Sequence, residues 1–465
     1  MAIEVISSQT REDNLLPRLG HWLRRRRDII RIVQWSMVAI YLSMVIVPAV
    51  LPLPGNTAHI LDNITLFAQF VFWGLWWPFV LVSVVLLGRS WCGIFCPEGT
   101  LTEFASRHGR HRAVPKWIRW QGWPIAAFML TTIYGQLISV YQYPKATLLL
   151  LGGSTVAASI VGFLYGKEKR VWCRYLCPVS GVFHLLAKLA PLHYRVDSAQ
   201  WLAGGPRREK FNCAPLVAVR VMKGGADCHM CGRCSGYRDA VALDVRSPNR
   251  EIVTLGAELG SIWETRFLIY GVIGVAMGAF HWSASPWFIA LKQYLASVLL
   301  SRDLVWPLSP PGAWWVLTDY PAQSDVFNWL DGLGIVFYIL ATAITLGTLT
   351  EALLRGAAMV LRRQDAGTKI FCHLSQCLIP VGAGGLFLGL SGLTVTMLRA
   401  ERLDLSWVPA LRLLLLGGAC IWSAAMAWSI AGQYAGSWRR LVAVLAVGTA
   451  LGVMALGWVC LYLLW

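Results

Sequence analysis

Two short stretches carry the residues best suited to chemistry: Trp91-Cys92-Gly93-Ile94-Phe95-Cys96-Pro97 and Trp172-Cys173-Arg174-Tyr175-Leu176-Cys177-Pro178. Each reads W-C-x-x-x-C-P, and each follows a long apolar run. Thiolates are soft ligands, and a set of four is the ligand complement of a [4Fe–4S] cluster. Within one stretch, Cys at i and i+4 share a helical face. The Pro after the second Cys disfavours continuing that helix but suits the first turn of a new one, so the chain turns where the second ligand is presented. Arg89, Arg170 and Arg174 lie close enough in sequence to favour the thiolate form. Four buried cysteines that only fill space are the plain alternative, and the matched repeat argues against it.

A third signal lies in a polar stretch, residues 190–262. Cys228-His229-Met230-Cys231-Gly232-Arg233-Cys234 has the C-x-x-C-x-x-C core of a bacterial ferredoxin. The fourth Cys and its Pro are missing downstream, where the chain reads Ser235-Gly236-Tyr237-Arg238-Asp239. Upstream, Asn212-Cys213-Ala214-Pro215 supplies a distant Cys, so Cys213, Cys228, Cys231 and Cys234 can form one ligand set. Structural zinc is the rival occupant. Three ligands leaving so short an arc wrap a cube better than they converge on a tetrahedral ion.

The other candidates are weaker. Cys372, His373 and Cys377 bring soft and imidazole ligands together at the start of an apolar run, and such ligands could bind metal. Buried, inert cysteine is the plainer reading there. Asp319, Asp325 and Asp331 lie in a Trp- and Pro-rich loop at about 290–330, either as a docking surface or cation contact or simply as caps. Cys420 and Cys460 read as packing residues, His59 and His281 as interface residues. No Walker A, Rossmann fingerprint or hydrolase elbow is present, and no residue stands out as nucleophile or general base.

What must position these cysteines is a membrane bundle. Of 465 residues, 56% are hydrophobic and 14% charged, more apolar surface than a soluble chain of this size could hide. Eight of the twelve cysteines fall in or near ligand spacings, which argues for a reducing compartment and metal binding and against disulfides. Apolar runs near 20 residues predict nine spanning helices, at about 29–52, 65–88, 121–142, 146–165, 267–289, 331–354, 374–397, 407–432 and 440–464. The net charge of +17 sits in short clusters beside these spans, which fits positive-inside loops and not nucleic-acid binding. If nine helices alternate, Arg24 to Arg27, Arg107 to Arg119, Lys167 to Arg170, Arg355 to Lys369 and Arg439-Arg440 share one side. That side is then cytoplasmic, with the N-terminus, both W-C-x-x-x-C-P stretches and the polar insert on it. The first apolar run is too long for a signal-peptide core and reads as a retained span. The expected fold is an all-α integral membrane protein with a small cytoplasmic ferredoxin-like insert. Its parts are a basic N-terminus (1–28), a four-helix repeat (29–189), the insert (190–262) and a five-helix domain (263–465). Packing of the two repeat hairpins around a pseudo-twofold axis would bring Cys92, Cys96, Cys173 and Cys177 together.

Over about residues 25–262 these features resemble the membrane polyferredoxin family of the NapH, NosR, CcoG and FtrD types. The resemblance implies electron transfer without stand-alone catalysis, through two [4Fe–4S] clusters on the eight cysteines, in a bacterial inner membrane. It also implies a periplasmic redox or metal-binding partner, in an iron permease or oxidoreductase complex. The five spans behind the insert fit the FtrD type best, hence iron uptake or a respiratory accessory role. The insert departs from the family, since many relatives carry eight ferredoxin cysteines and this chain has four at most. Two alternatives stand beside this reading. A transition-metal permease or an assembly factor would use the same cysteines for metal in transit or for structure, although the spans carry few ionisable residues at mid-depth. A crossed arrangement, each membrane pair sharing a cluster with insert cysteines, fits the same count.

Overall fold

The computed structural model describes residues 15–465 apart from 56, 205–210 and 363–366, so the first part of the expected basic N-terminus lies outside the described residues. The chain is an all-α membrane protein. Among the described residues, eight helices are long and apolar enough to cross a membrane: Arg27–Val50, Ile64–Leu87, Pro144–Leu164, Ile262–His281, Trp329–Leu361, Gly367–Ala400, Val408–Tyr434 and Ser437–Leu464.

The third expected span is shorter than foreseen. Its helix is Trp123–Leu137, of 15 residues, which gives roughly 22 Å against a hydrocarbon core of about 30 Å. Irregular backbone continues it over residues 138–143. At membrane depth such backbone is tolerated only where protein buries it and satisfies its polar groups. Both conditions hold: Ile138, Val140 and Tyr143 are buried, Val140 N–H donates to Gly135 O, and Gln69 Nε2 donates to Tyr141 O at 2.6 Å. The fifth span begins and ends earlier than expected because Ser285 caps a separate helix, Pro286–Ser301, its Oγ accepting from Phe288 N–H.

The second and fourth spans, Ile64–Leu87 and Pro144–Leu164, share a local feature. Each widens to π geometry, over Phe70–Trp76 and Leu148–Gly152 respectively. Each is followed by a glycine with positive φ, Gly88 at 61° and Gly166 at 76°, a conformation that L side chains resist. There the chain leaves the span and heads into its cysteine stretch.

The insert is organised on two strands, β1 (Leu192–Val196) and β2 (Val241–Val245), paired antiparallel with Leu192 opposite Val245. Tyr194, Val241 and Leu243 form a small core with Met230 and Cys234. The helix Leu15–Arg25 lies across this insert, a docking that charge counting did not foresee. Arg24 donates to Ser235 O at 2.9 Å, and a Cβ on Gly232 would stand 2.7 Å from Leu23 Cβ.

The C-terminal helices are clasped to the insert through the residues expected as a weak metal site. His373 donates from Nε2 to Ile252 O at 2.9 Å and accepts at Nδ1 from the Tyr434 hydroxyl at 2.7 Å. Both ring nitrogens are thus engaged within the fold. Cys372 and Cys377 are buried in the apolar core beside it. The structure gives this group a packing role instead of a ligating one. His281 lies with its two ring nitrogens near the carbonyls of Met277 and Gly457, and its one N–H donates to one of them. Asp331 closes a capping box with Asn328, and Asp325 accepts from the Tyr143 hydroxyl at 2.7 Å, so these two carboxylates work as a cap and a tether.

Candidate metal centres

In the first motif, Cys92 lies in the wide turn Trp91–Phe95 and Cys96 caps the helix Pro97–Arg107, its Sγ accepting from Gly99 N–H at 3.4 Å. Pro97 opens that helix, as its fixed φ favours. In the second, Cys173 lies in the short helix Val171–Tyr175. Cys177 follows it, and the helix Ser180–Ala187 starts just beyond Pro178. The four thiols are within electrostatic reach of one another, Cys177 with all of Cys92, Cys96 and Cys173. Burial pushes the Cys173 thiol up to about 12, outweighing Arg170 and Arg89, which pull it down. Burial also pushes Cys96 and Cys177 well up. Arg174, the third arginine, pairs with Asp227 at 2.7 Å. Buried thiols of this kind need cations to ionise them, which bound iron supplies.

In the insert, Cys213, Cys228, Cys231 and Cys234 line one cavity together with Tyr194 and Met222. Tight turns present them: Met230 (φ 54°), Gly232 (74°) and Gly236 (68°) all take left-handed backbone. Met230 N–H donates to Cys228 Sγ at 3.4 Å. Burial pushes Cys228 up to about 12, and Cys234 is within electrostatic reach of the other three thiols. The thiol neighbours that act on Cys177 and Cys234 are thus those of their own sets. Among the described residues, no three His, Cys, Asp or Glu side chains converge where a single metal ion would sit. The donor chemistry of each set, four soft thiols, fits a four-iron cluster.

The two sets touch through backbone. A Cβ on Gly93 would fall 1.9 Å from His229 O and 3.0 Å from Cys231 N, so only glycine lets the two ligand loops meet this way. Glu103 ties the joint. It pairs with Arg170 at 2.9 Å, with Arg107 at 2.9 Å and with Arg233 of the insert loop at 2.7 Å. Burial alone would raise its carboxyl, but Arg170 and Arg233 outweigh that and hold it at about 2. Arg170 also donates to Cys92 O. Sequence reading missed Gly93, Glu103 and His229. The small residue between two ligands was the one available signal, because contacts this distant in sequence leave no local period.

From Cys96 and Cys177 a cavity of about 220 Å³ opens into the bundle. The two wide helical stretches contribute its Phe72, Trp73, Trp76, Leu150 and Leu151 walls. At one edge, the Glu98 carboxylate accepts from Ser154 Oγ at 2.7 Å and from Trp172 Nε1 at 3.2 Å.

Residues 69–115 and 148–196 match a family model described as a 4Fe-4S binding domain. These stretches contain the four membrane cysteines and stop before those of the insert. The chain is 23% identical over 239 residues to YccM of Escherichia coli K12, named as a candidate electron transport protein, covering 44% of this chain and 65% of that one. It is 27% identical over 134 residues to the regulatory protein NosR of Pseudomonas aeruginosa PAO1, covering 24% of this chain and 18% of NosR. The matches thus span less than two thirds of either relative. No solved structure matches the chain. Fold and comparisons together define a multi-pass membrane protein with a 4Fe–4S binding domain. Its similarity is to membrane electron-transport proteins.

Proposed function

We propose that the chain carries electrons between the membrane interior and its basic face by way of two [4Fe–4S] centres. Cys92, Cys96, Cys173 and Cys177 hold one; Cys213, Cys228, Cys231 and Cys234 hold the other. Such centres, when bound, take up and release single electrons. The contact of Gly93 with His229 carries the reading, because it joins a thiol set at the end of a membrane repeat to one in a polar insert. The cavity at Cys96 and Cys177 supports a lipid-soluble carrier of the quinone kind as the membrane-side partner, with flat aromatic walls and one polar edge. The charge bias supports a cytoplasmic basic face and N-terminus, in a bacterial inner membrane. An outer partner and a role in iron uptake rest on the FtrD-like layout of five spans behind the insert.

Anaerobic purification tests the core of this reading. The expected result is a coloured protein with about eight iron per chain and paramagnetic signals after dithionite. A colourless protein holding zinc sinks it and favours the assembly-factor alternative. For the carrier, a short-chain quinone should quench the tryptophan fluorescence of the cavity wall, and Ala279→Phe, which fills the cavity, should weaken that quenching. Recovery of an iron permease with the chain from solubilised membranes is the expected result for iron uptake; recovery of a different redox enzyme redirects it.

A further inference from the structure

Two buried arginines stand between the thiol sets. Arg89 is 3% exposed and donates from Nη2 to Ser180 Oγ at 2.8 Å. It is within electrostatic reach of Cys92 and Cys177 on one side and of Cys228 on the other. Arg170 is 2% exposed, donates to Cys92 O, and reaches Cys173 on one side and Cys231 on the other. The other charges at this joint are Glu98 on the membrane side, Glu103, Arg233, Asp227 and Arg174, of which Asp227 and Arg174 pair with each other. A four-thiolate iron–sulfur centre is an anion. Two such anions held back to back in a poorly solvated joint repel each other, and each added electron strengthens the repulsion.

We propose that Arg89 and Arg170 are positioning residues shared by both centres, whose charges raise both reduction potentials and let the two anions stay in contact. The inference rests on the functional reading that each thiol set holds a cluster. It also ranks the two residues. Arg170 is in a direct ion pair with Glu103, whereas Asp227, the carboxylate that acts on Arg89, is already paired with Arg174 and His184, so Arg89 acts more strongly.

The test is a redox titration followed by EPR on anaerobically purified wild type, Arg89→Gln, Arg170→Gln, Arg89→Lys and Glu103→Gln, each with its iron counted. At the wild-type midpoint, Arg89→Gln should lower the reduced-to-oxidised ratio of both centres by about tenfold or more, 59 mV for a one-electron couple. Arg170→Gln should move both in the same direction by less. Arg89→Lys, which keeps the charge, should return both close to wild type, and Glu103→Gln should raise both. A shift confined to one centre, or none in a variant with full iron, overturns the inference. Where an arginine variant loses iron, Glu103→Gln decides, and anything but a rise in both potentials counts against the inference. A wild type without two reducible centres sinks the functional reading as well; intact wild-type centres with unmoved variants sink this inference alone.

Discussion

The two thiol sets use the same ligand and are built by opposite means. In the membrane set, two cysteines at the end of one hairpin meet two at the end of another, and only packing of the repeat brings them together. In the insert, three of the four ligands lie in one short loop shaped by left-handed turns at Met230, Gly232 and Gly236. One set opens onto an aromatic cavity inside the bundle, the other onto a small core of β1, β2 and the loop itself. The difference teaches where each is vulnerable: the membrane set to anything that loosens the spans, the insert set to anything that changes its loop. They share a fate only at the joint, where Gly93, Glu103 and the two buried arginines belong to both.

Removing ligands tests this separation most severely. Cys92→Ser with Cys173→Ser should take away roughly half of the iron and leave the insert signal in EPR; Cys228→Ser with Cys231→Ser should do the reverse. Loss of all iron from either pair would establish shared clusters and end the comparison. The next largest effect belongs to the joint itself. Gly93→Val puts a side chain where His229 O and Cys231 N stand, backbone that cannot swing aside. We expect a loss of roughly 3 kcal/mol or more, read by thermal unfolding, from overpacking of this kind. The insert should become sensitive to protease while the spans stay protected.

How much of this was legible beforehand follows the same division. The insert ligands could be read because their constraint is local: a C-x-x-C-x-x-C run states its own geometry. The spans could be read because lipid demands long apolar helices, and the one that came out short, Trp123–Leu137, ends in backbone whose bonds are supplied by Gly135 and Gln69. The joint could not be read. Glu103 finds Arg170 and Arg233 across long stretches of chain, and nothing in the sequence around it announces three arginine partners. The wide helical stretches at Phe70–Trp76 and Leu148–Gly152 were equally hidden, since an extra residue per turn leaves an all-apolar pattern unchanged. At Cys372, His373 and Cys377 the types suggested ligation, but the imidazole hydrogen bonds decide for packing.

Acid separates the joint from the two sets it connects. Folding lowers the Glu103 carboxyl from 4.5 to about 2, so its ionised form stabilises the native state fully above about pH 5. That stabilisation fades as pH falls toward 2, and the shift corresponds to about 3 kcal/mol. Glu103→Gln should therefore be less stable than wild type by about this amount at pH 7, and the gap should close as the pH is lowered through that window. A gap that stays constant with pH would mean that Glu103 acts by shape and not by charge.

The smallest expected effect lies farthest from the iron. His373→Leu removes two hydrogen bonds, to Ile252 O and the Tyr434 hydroxyl; Ile252 O keeps the Gly256 N–H, while the Tyr434 hydroxyl loses its partner. A cost of about 1–3 kcal/mol is expected in thermal unfolding. Iron content, zinc content and both EPR signals should stay at wild-type levels, because the clasp holds the C-terminal helices to the insert without entering its loop. A fall in bound metal would restore a ligating role to His373. Loss of the insert signal alone would show that this set is held from outside, and the contrast between a locally built centre and a packed one would narrow to the turns at Met230 and Gly232.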